Sequence, residues 1–282
     1  MISFLGMGLL GSNFVRALRE RGEPVQVWNR TAHKAAPLEA VGATVCNDPA
    51  SAVRGAHRIH LTLSDDAAVD DVLEQARPGF AKGVTIVDHS TTSPAGTRAR
   101  AALWAERGVT FQHAPVFMGP KHALESSGVM LASGDRARFE QLEPALSKMT
   151  GKLLYLGPAP ERAAAFKLLG NAFLMFMTAG LADFFALAKS MGIPAREASE
   201  LFQYFNPGLT IPARVDRILA ADFAQPSWEL SMARKDARLM LEAAEGAGQT
   251  LAFMPVIAAV MDAFIARGHG HDDWTVIAKD AL

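Results

Sequence analysis

Short apolar runs alternate with longer amphipathic segments along the first half of the chain. The runs are rich in β-branched and aromatic side chains, as strands are, whereas the segments between them have helical spacing of apolar residues. The predicted strands are Ile2 to Leu5, Pro24 to Trp28, Arg58 to Leu63, Val84 to Asp88 and Val109 to His113. This alternation predicts right-handed βαβ crossovers and a mainly parallel sheet with helices on both faces. We expect two further runs, Val129 to Ala132 and Leu153 to Leu156, to extend that sheet.

The pattern changes after Gly157-Pro158-Ala159-Pro160, a cluster of residues that break helices and strands. From Glu161 to Ser190 apolar residues occupy nearly every face, which predicts one long helix buried on most sides. Its most apolar part, Leu168 to Ala182, is shorter than the roughly 20 residues of a membrane span. Later helices are predicted from about Ala195, Arg214, Ser231, Leu251 and Asp272. The sequence therefore predicts an α/β domain over residues 1–160 and an all-α domain over residues 161–282.

Composition and charge narrow the kinds of partner. The length of 282 residues suits two domains, and the formal net charge of -1 gives no global field that would attract nucleic acid or anionic membranes. We therefore expect a small-molecule partner and neither a nucleic-acid nor a membrane partner. The single cysteine, Cys46, forms no internal disulfide, and Met1 leads into the first predicted strand without the features of a signal peptide. Both observations favour a cytoplasmic protein.

A glycine motif directly follows the first predicted strand. The segment Gly6-Met7-Gly8-Leu9-Leu10-Gly11 has the spacing G-x-G-x-x-G and opens an amphipathic helix. In this context the glycines allow a tight turn and a close approach of a pyrophosphate, and the helix N-terminus offers N–H groups to it. The motif predicts a Rossmann domain whose residues 6–11 bind a dinucleotide. The alternative is an ordinary glycine-rich turn.

The end of the second predicted strand indicates which dinucleotide binds. An NAD site places Asp or Glu there, but this chain has Asn29-Arg30-Thr31, with Lys34 one turn further. Arg30 is suited to stack on adenine and to pair with a 2′-phosphate, while Asn29, Thr31 and Lys34 add hydrogen bonds or charge. We therefore expect the cofactor NADP(H), although an exposed arginine at a helix start is the alternative. The predicted cofactor site also includes Leu63 and Ser64.

Lys167 and Asn171 lie four residues apart on the long predicted helix and so share one face. A lysine in so apolar a segment is costly to bury as a cation, and its pKa is expected to fall toward neutrality. Such a lysine suits a proton donor to a carbonyl oxygen. The alternative is a lysine whose ammonium reaches solvent along an otherwise buried helix.

Two histidines near the C-terminus invite comparison with metal sites. His269 and His271 stand beside Asp272 and Asp273 in a glycine-containing turn. The turn has no third ligand at a fixed spacing, so a solvated loop is the better interpretation and we expect no metal.

These motifs together resemble the β-hydroxyacid dehydrogenase family, which includes 3-hydroxyisobutyrate dehydrogenase, tartronate semialdehyde reductase and the 6-phosphogluconate dehydrogenases. The matching residues are the glycine motif, Asp88 to Pro94, Ala114-Pro115-Val116, Lys167 with Asn171, and Lys235-Asp236. The resemblance covers essentially the whole chain. It implies hydride transfer between a nicotinamide and a substrate carbon, with Lys167 as general acid/base and Asn171 orienting the substrate.

The same resemblance assigns further positions. It implies that Ser90 and Thr91 line the site beside the nicotinamide, and that Lys235 lies near the cofactor from a helix of the second domain. Ser93 precedes Pro94 and is assigned instead to the cap of the following helix.

The chain also departs from the family pattern at two places. Members commonly continue Ala-Pro-Val with Ser-Gly-Gly, which holds the substrate carboxylate, but this chain has Phe117-Met118-Gly119-Pro120. We expect Phe117, Met118 and Gly119 to contact substrate through two apolar walls, without the hydroxyl. Leu174 occupies the position of the glutamate acid of 6-phosphogluconate dehydrogenases, which argues against oxidative decarboxylation.

Two other functions remain open. The run Val27 to Thr31 is also similar to the imine reductases, relatives that share the architecture and prefer NADPH. Those enzymes usually lack the lysine, so Lys167 favours a carbonyl or alcohol substrate, and imine reduction is the alternative. A catalytically silent NADPH-binding protein on the same fold is another. The long apolar helix further predicts a homodimer or a higher homo-oligomer.

Overall fold

The computed structural model describes residues 1–282. Its strands are β1 (Ile2–Leu5), β2 (Val25–Trp28), β3 (Thr44–Val45), β4 (Arg58–Leu61), β5 (Thr85–Asp88), β6 (Thr110–His113), β7 (Val116–Phe117), β8 (Val129–Ala132) and β9 (Lys152–Tyr155). Its α-helices are α1 (Leu9–Glu20), α2 (Pro49–Val53), α3 (Asp66–Ala76), α4 (Pro94–Glu106), α5 (Pro120–Glu125), α6 (Arg136–Leu146), α7 (Arg162–Ser190), α8 (Ala195–Tyr204), α9 (Ile211–Ala220), α10 (Leu230–Gly246) and α11 (Met254–Phe264). The chain ends in a 3₁₀ segment, Trp274–Ala281.

The first six strands form one parallel sheet in the order β3-β2-β1-β4-β5-β6. Strand β1 pairs with β2 on one side and with β4 on the other, so the strand order reverses between β1 and β4. Separate apolar clusters cover the two faces of the sheet, one around Phe4 and Phe14 and the other around Ile59 and Trp104. The predicted Rossmann domain is confirmed, and its reversal point is where such sheets bind ligands.

The last three strands form a second sheet, which corrects the sequence prediction. Strand β7 pairs antiparallel with β8, and β8 pairs parallel with β9, so neither β8 nor β9 extends the six-stranded sheet. Pro115 separates β6 from β7 and has no N–H to continue a ladder. Its carbonyl accepts instead from the Leu131 N–H at 2.8 Å, which joins β8 to the chain just beyond β6. A two-residue strand such as β7 has no detectable sequence pattern, and this is why the prediction failed.

The chain divides into two compact units, Met1–Ala172 and Phe173–Leu282. In the second unit, all the regular elements are helical, as predicted, and they pack around a core that includes Leu230, Met261 and Phe264. Asp183 of α7 accepts hydrogen bonds from the N–H groups of residues 252, 253 and 254 at 2.7 to 2.8 Å. This carboxylate thereby caps the start of α11, whose first N–H groups have no partner within the helix.

Helix α7 differs from its predicted environment. The sequence predicted burial on most sides, but in the single chain only 11% of its most apolar window is buried. Large apolar side chains are exposed along it, among them Leu169, Met175 and Phe176. Its length and hydropathy alone would also suit a membrane span. Lys167, Asn171 and Asp183, however, all make polar contacts within the chain, which is typical of a helix that packs against protein.

Candidate active site

The turn between β1 and α1 brings the glycine motif against strand β4. Gly6 has φ +99°, and a Cβ there would lie 2.2 Å from the Thr62 carbonyl oxygen. A Cβ on Gly11 would lie 2.0 Å from the Gly6 oxygen, so both positions exclude any side chain. Gly8 differs because nothing lies within 4 Å of its Cβ position. Its open side leaves the backbone and the N-terminus of α1 accessible to an anion.

A cavity of about 420 Å³ lies beside this turn. The predicted cofactor residues that line it are Gly6, Gly8, Asn29, Arg30, Thr31, Lys34, Leu63 and Ser64. The lining residues that sequence reasoning missed are Trp28, Thr62, Ala68, Asp71, Val72 and Gln75. Trp28 ends β2 and Thr62 follows β4, so the rule that ligands bind at the carboxyl ends of strands would have found them. The other four lie on α3 and belong to no motif.

Asn29 holds the two halves of this site together. Its Oδ1 accepts from the Met7 N–H at 2.8 Å, and its Nδ2 donates to the Thr31 carbonyl at 2.9 Å. Both ends of the amide therefore help to fix the loop, and the second N–H of Nδ2 is not used in these two bonds. Arg30 and Lys34 are exposed and line the cavity. Neither takes part in an ion pair of the chain. Their charge remains available to an anionic ligand.

A second cavity of about 220 Å³ shares Gly8, Thr62 and Leu63 with the first. Its lining contains the remaining predicted residues of the N-terminal motifs, namely Leu9, Leu10, Gly11, Ser90 and Thr91, together with His89. Met7 is buried and lines neither cavity. Its contribution is the backbone N–H that holds the Asn29 side chain. Ser90 is also buried, and its Oγ accepts from the Leu63 N–H at 2.9 Å. Ser93 caps α4 through the Gly96 N–H, as predicted.

Lys167 and Asn171 meet on one face of α7. The Lys167 Nζ donates to the Asn171 Oδ1 at 2.9 Å and lies 4.3 Å from the centre of the Phe117 ring. The lysine is half-buried, and burial lowers the pKa of its ammonium. Neither of its neighbours carries a negative charge that would counter this shift. The result is a cation with weakened hold on its proton, close to an apolar wall.

Three positions of the loop after β7 offer a ligand no hydrogen-bond donor of the kind found in the family pattern. The Gly119 N–H donates to Nδ1 of His122 at 3.0 Å, and Pro120 has no N–H. Phe117 carries no hydroxyl, and its backbone is paired with Val129 of β8. The loop therefore lacks the hydroxyl with which a carboxylate would be bound, and its Gly119 N–H is already paired.

One predicted site residue lies in the other unit. Lys235 is on α10, where its Nζ pairs with the Asp236 carboxylate at 2.9 Å. The turn near the C-terminus contains no group of three metal-ligating side chains, and neither does the rest of the chain. His269 pairs there with Asp272, and His271 pairs with Glu229.

The chain is similar to known proteins over nearly its whole length. The NAD binding domain of 6-phosphogluconate dehydrogenase matches residues 1–157, and the C-terminal domain of NADPH-dependent reductive aminase-like proteins matches residues 160–281. A 2-(hydroxymethyl)glutarate dehydrogenase from Eubacterium barkeri is 26% identical, over 99% of this chain and 93% of that protein. A Streptomyces aurantiacus imine reductase is 28% identical with a TM-score of 0.89, over 100% of this chain and 99% of that one. An imine reductase from Myxococcus stipitatus, solved with NADP⁺, shares the fold, with a TM-score of 0.93 at 21% identity over 100% of both chains.

The residues present fit a nicotinamide dinucleotide. Side chains are excluded at Gly6 and Gly11, an open helix N-terminus lies at Gly8, and two cations without carboxylate partners line the adjoining cavity. Each feature suits the diphosphate or another phosphate of such a cofactor. The chain belongs to the family of oxidoreductases built on the 6-phosphogluconate dehydrogenase NAD binding domain, which includes β-hydroxyacid dehydrogenases and imine reductases.

Proposed function

We propose that this protein is an NADP(H)-dependent oxidoreductase that interconverts a carbonyl compound and its alcohol, with Lys167 as general acid/base. The observation that carries the proposal is the environment of Lys167. Its ammonium is half-buried, its pKa is lowered by burial, and it is hydrogen-bonded to a neutral amide. A lysine kept for structure alone would more commonly pair with a carboxylate or extend into solvent.

Different residues of the chain bind the cofactor and transfer the proton in this reaction. The bound cofactor supplies or accepts the hydride at its nicotinamide. The glycine turn, residues 6–11, binds the diphosphate through the N–H groups at the start of α1, since those of Gly6 and Met7 are already paired. Arg30 and Lys34 bind the 2′-phosphate. Lys167 donates a proton to the substrate oxygen in reduction and accepts it in oxidation, and burial, which lowers the pKa of its ammonium, makes the proton easier to release. Asn171 holds the ammonium in place through its Oδ1.

Imine reduction is the second candidate function, and a specific observation favours it. The second half of the chain matches the reductive aminase-like C-terminal domain, and the full-length structures that resemble it include imine reductases. An imine nitrogen also needs a proton, and Lys167 is able to supply one. Both candidates would use Lys167 as the proton donor and differ in the substrate. The lysine itself, which imine reductases usually lack, favours the carbonyl compound.

Substitution of Lys167 tests the proposed chemistry. Lys167→Met should leave the dissociation constant for NADPH nearly unchanged and lower turnover roughly 100-fold or more, the usual scale of a general acid/base contribution. Lys189→Met is the matched control, because Lys189 is an exposed lysine of the same helix. NADPH oxidation is measured with panels of aldehydes, keto acids and cyclic imines. Turnover by Lys167→Met equal to that of the wild type would contradict the assignment, and oxidation with no member of any panel would favour a silent NADPH-binding protein.

A further inference from the structure

The ring of Phe117 occupies a notch in helix α7 that exists because residue 170 is glycine. A Cβ added to Gly170 would lie 2.3 Å from the Phe117 Cζ and 2.5 Å from its Cε1. These distances are far shorter than the roughly 3.5 Å at which non-bonded carbon atoms attract each other. Any side chain at position 170 would therefore force the ring out of its present place.

The backbone of Phe117 is fixed as firmly as its ring. Strand β7 pairs Phe117 with Val129 of β8, so the register of the loop is set by a sheet. Beneath the loop, a Cβ on Gly128 would lie 2.9 Å from the Phe117 carbonyl oxygen and 2.9 Å from the Met118 Cγ. Two glycines thus make room for this segment: Gly170 for the ring of Phe117, and Gly128 for its carbonyl oxygen and the Met118 side chain.

In that position the ring faces the ammonium of Lys167. The Nζ lies 4.3 Å from the ring centre, within the range of a cation–π interaction, and 2.9 Å from the Asn171 Oδ1. An ammonium has three N–H groups. One is directed to Asn171 and the π face attracts the charge from another direction, which leaves a donor for the substrate.

We propose that Phe117 is a positioning residue for Lys167: its ring, seated against Gly170, holds the ammonium in the orientation from which it donates a proton. The inference rests on the proposed function only in taking Lys167 as the proton donor. The contact itself is a property of Phe117, Gly170 and Lys167 and is measurable without any substrate.

The contact between the ring and the ammonium should raise the pKa of Lys167 relative to a site without the ring. Burial disfavours the ammonium, while the negative face of the ring favours it. Replacing the ring with an aliphatic side chain removes only the favourable part, so the pKa of Lys167 should fall further. In the reductive direction the enzyme needs the protonated lysine, and its activity should then be lost at lower pH than in the wild type.

Three variants test the proposal: Phe117→Leu, Gly170→Ala and the double variant Phe117→Leu/Gly170→Ala. The Lys167 Nζ is titrated by NMR in the NADPH complex of ¹⁵N-lysine-labelled protein, with Lys167→Met identifying the signal. The dependence of kcat on pH is measured in parallel. Phe166→Leu is the matched control, because it removes a different aromatic ring of α7, one that faces Arg162.

The expected results are specific to a positioning role. Phe117→Leu should lower the pKa of Lys167 by about half a unit or more. Gly170→Ala should also lower the pKa of Lys167, because the new methyl group pushes the Phe117 ring away from the ammonium. The double variant should resemble Phe117→Leu, because the leucine has already removed the ring that the methyl group would displace. Phe166→Leu should change nothing. Unchanged titrations in both Phe117→Leu and Gly170→Ala would overturn the proposal, as would a shift to higher pKa. If the titrations shift as expected but no substrate is reduced, the proposed function fails and the Phe117–Lys167 contact stands.

Discussion

Among single residues, the buried histidines His60 and His89 form a chain of hydrogen bonds that contains no carboxylate and that fixes which ring nitrogen carries the proton. The Arg58 Nε donates to the His60 Nε2 at 2.8 Å, the His60 Nδ1 lies 2.9 Å from the His89 Nε2, and the His89 Nδ1 lies 2.7 Å from the Ala114 carbonyl. Arginine only donates and a carbonyl only accepts, so each ring carries its proton on Nδ1. Both histidines are therefore neutral, and every ring nitrogen in the chain of bonds has a partner.

This network predicts a loss of stability in mild acid. Burial lowers the pKa of His89 from 6.5 to about 4, and it lowers the pKa of His60 as well. Between pH 6.5 and pH 4 the unfolded chain binds a proton at His89 that the folded chain does not, so the free energy of unfolding falls as the pH falls. The contribution of His89 is about 3 kcal/mol over that window.

Urea unfolding at several pH values measures this effect. His89→Asn should reduce the dependence of unfolding free energy on pH between 6.5 and 4, while His33→Asn, a substitution of an exposed histidine, should leave it as in the wild type. Parallel curves for the wild type and His89→Asn would show that His89 does not titrate in this window.

Arg30 carries the prediction on cofactor choice. One charge-assisted phosphate contact contributes roughly 1.5 to 3 kcal/mol, so NADPH should bind at least about tenfold more tightly than NADH. Arg30→Ser should remove most of this preference, because it weakens NADPH binding more than NADH binding. Arg54→Ser, at an exposed arginine outside the cavity, is the control. Equal dissociation constants for the two cofactors in calorimetric titration of the wild type would refute the prediction.

At the scale of elements, the loop between β7 and α5 bears on substrate choice. The Gly119 N–H is occupied by His122, so the loop offers a carboxylate neither that donor nor a hydroxyl. A substrate that needs one such hydrogen bond is disfavoured by roughly 1 to 3 kcal/mol. We therefore expect a preference for carbonyl compounds with an apolar or aromatic substituent over glyoxylate, tartronate semialdehyde or 3-hydroxyisobutyrate.

The ratio of kcat/KM for matched apolar and carboxylate-bearing aldehydes checks this preference. The ratio should move toward the carboxylate in His122→Ala, which frees the Gly119 N–H, and in Phe117→Ser, which restores a hydroxyl. A change in Lys167 affects both substrates alike and cancels in the ratio. Should the wild type already favour the small acids tenfold or more, the loop binds carboxylates in another way and the prediction is wrong.

Elements with a strong period or a fixed spacing were the ones that the sequence could predict. The five main strands of the parallel sheet, the glycine motif and α7 each carry such a signal. Strand β7 has two residues, and the partner of β8 depends on where Pro115 turns the chain, which no local pattern encodes. The spacing of four predicted that Lys167 and Asn171 share a face, and their contact confirms it, but the seat of Phe117 on Gly170 was not predicted. That contact joins residues 53 positions apart, and only the packed structure brings them together.

At the scale of the whole molecule, the exposed side chains of α7 predict self-association. Leu169, Met175 and Phe176 are 66%, 68% and 73% exposed in the single chain. A contiguous apolar surface of several hundred Å² marks an interface in most proteins, and burying one large apolar side chain contributes about 1.5 to 3 kcal/mol. Most homo-oligomers form closed symmetric pairs in which the same surface meets itself. A homodimer that covers α7 is therefore the expected assembly.

Light scattering at micromolar concentration should give twice the mass of the chain, which is 30.2 kDa. Phe176→Glu places a charge at the centre of the exposed face of α7, where burial in a dimer would leave it unpaired, so this variant should shift the protein toward monomer. Leu103→Glu makes the same change of charge at a partly exposed leucine of α4, in the first unit, and should leave the mass at that of a dimer. A monomer mass for the wild type would refute the prediction, because the apolar face of α7 would then be stable in water without a partner.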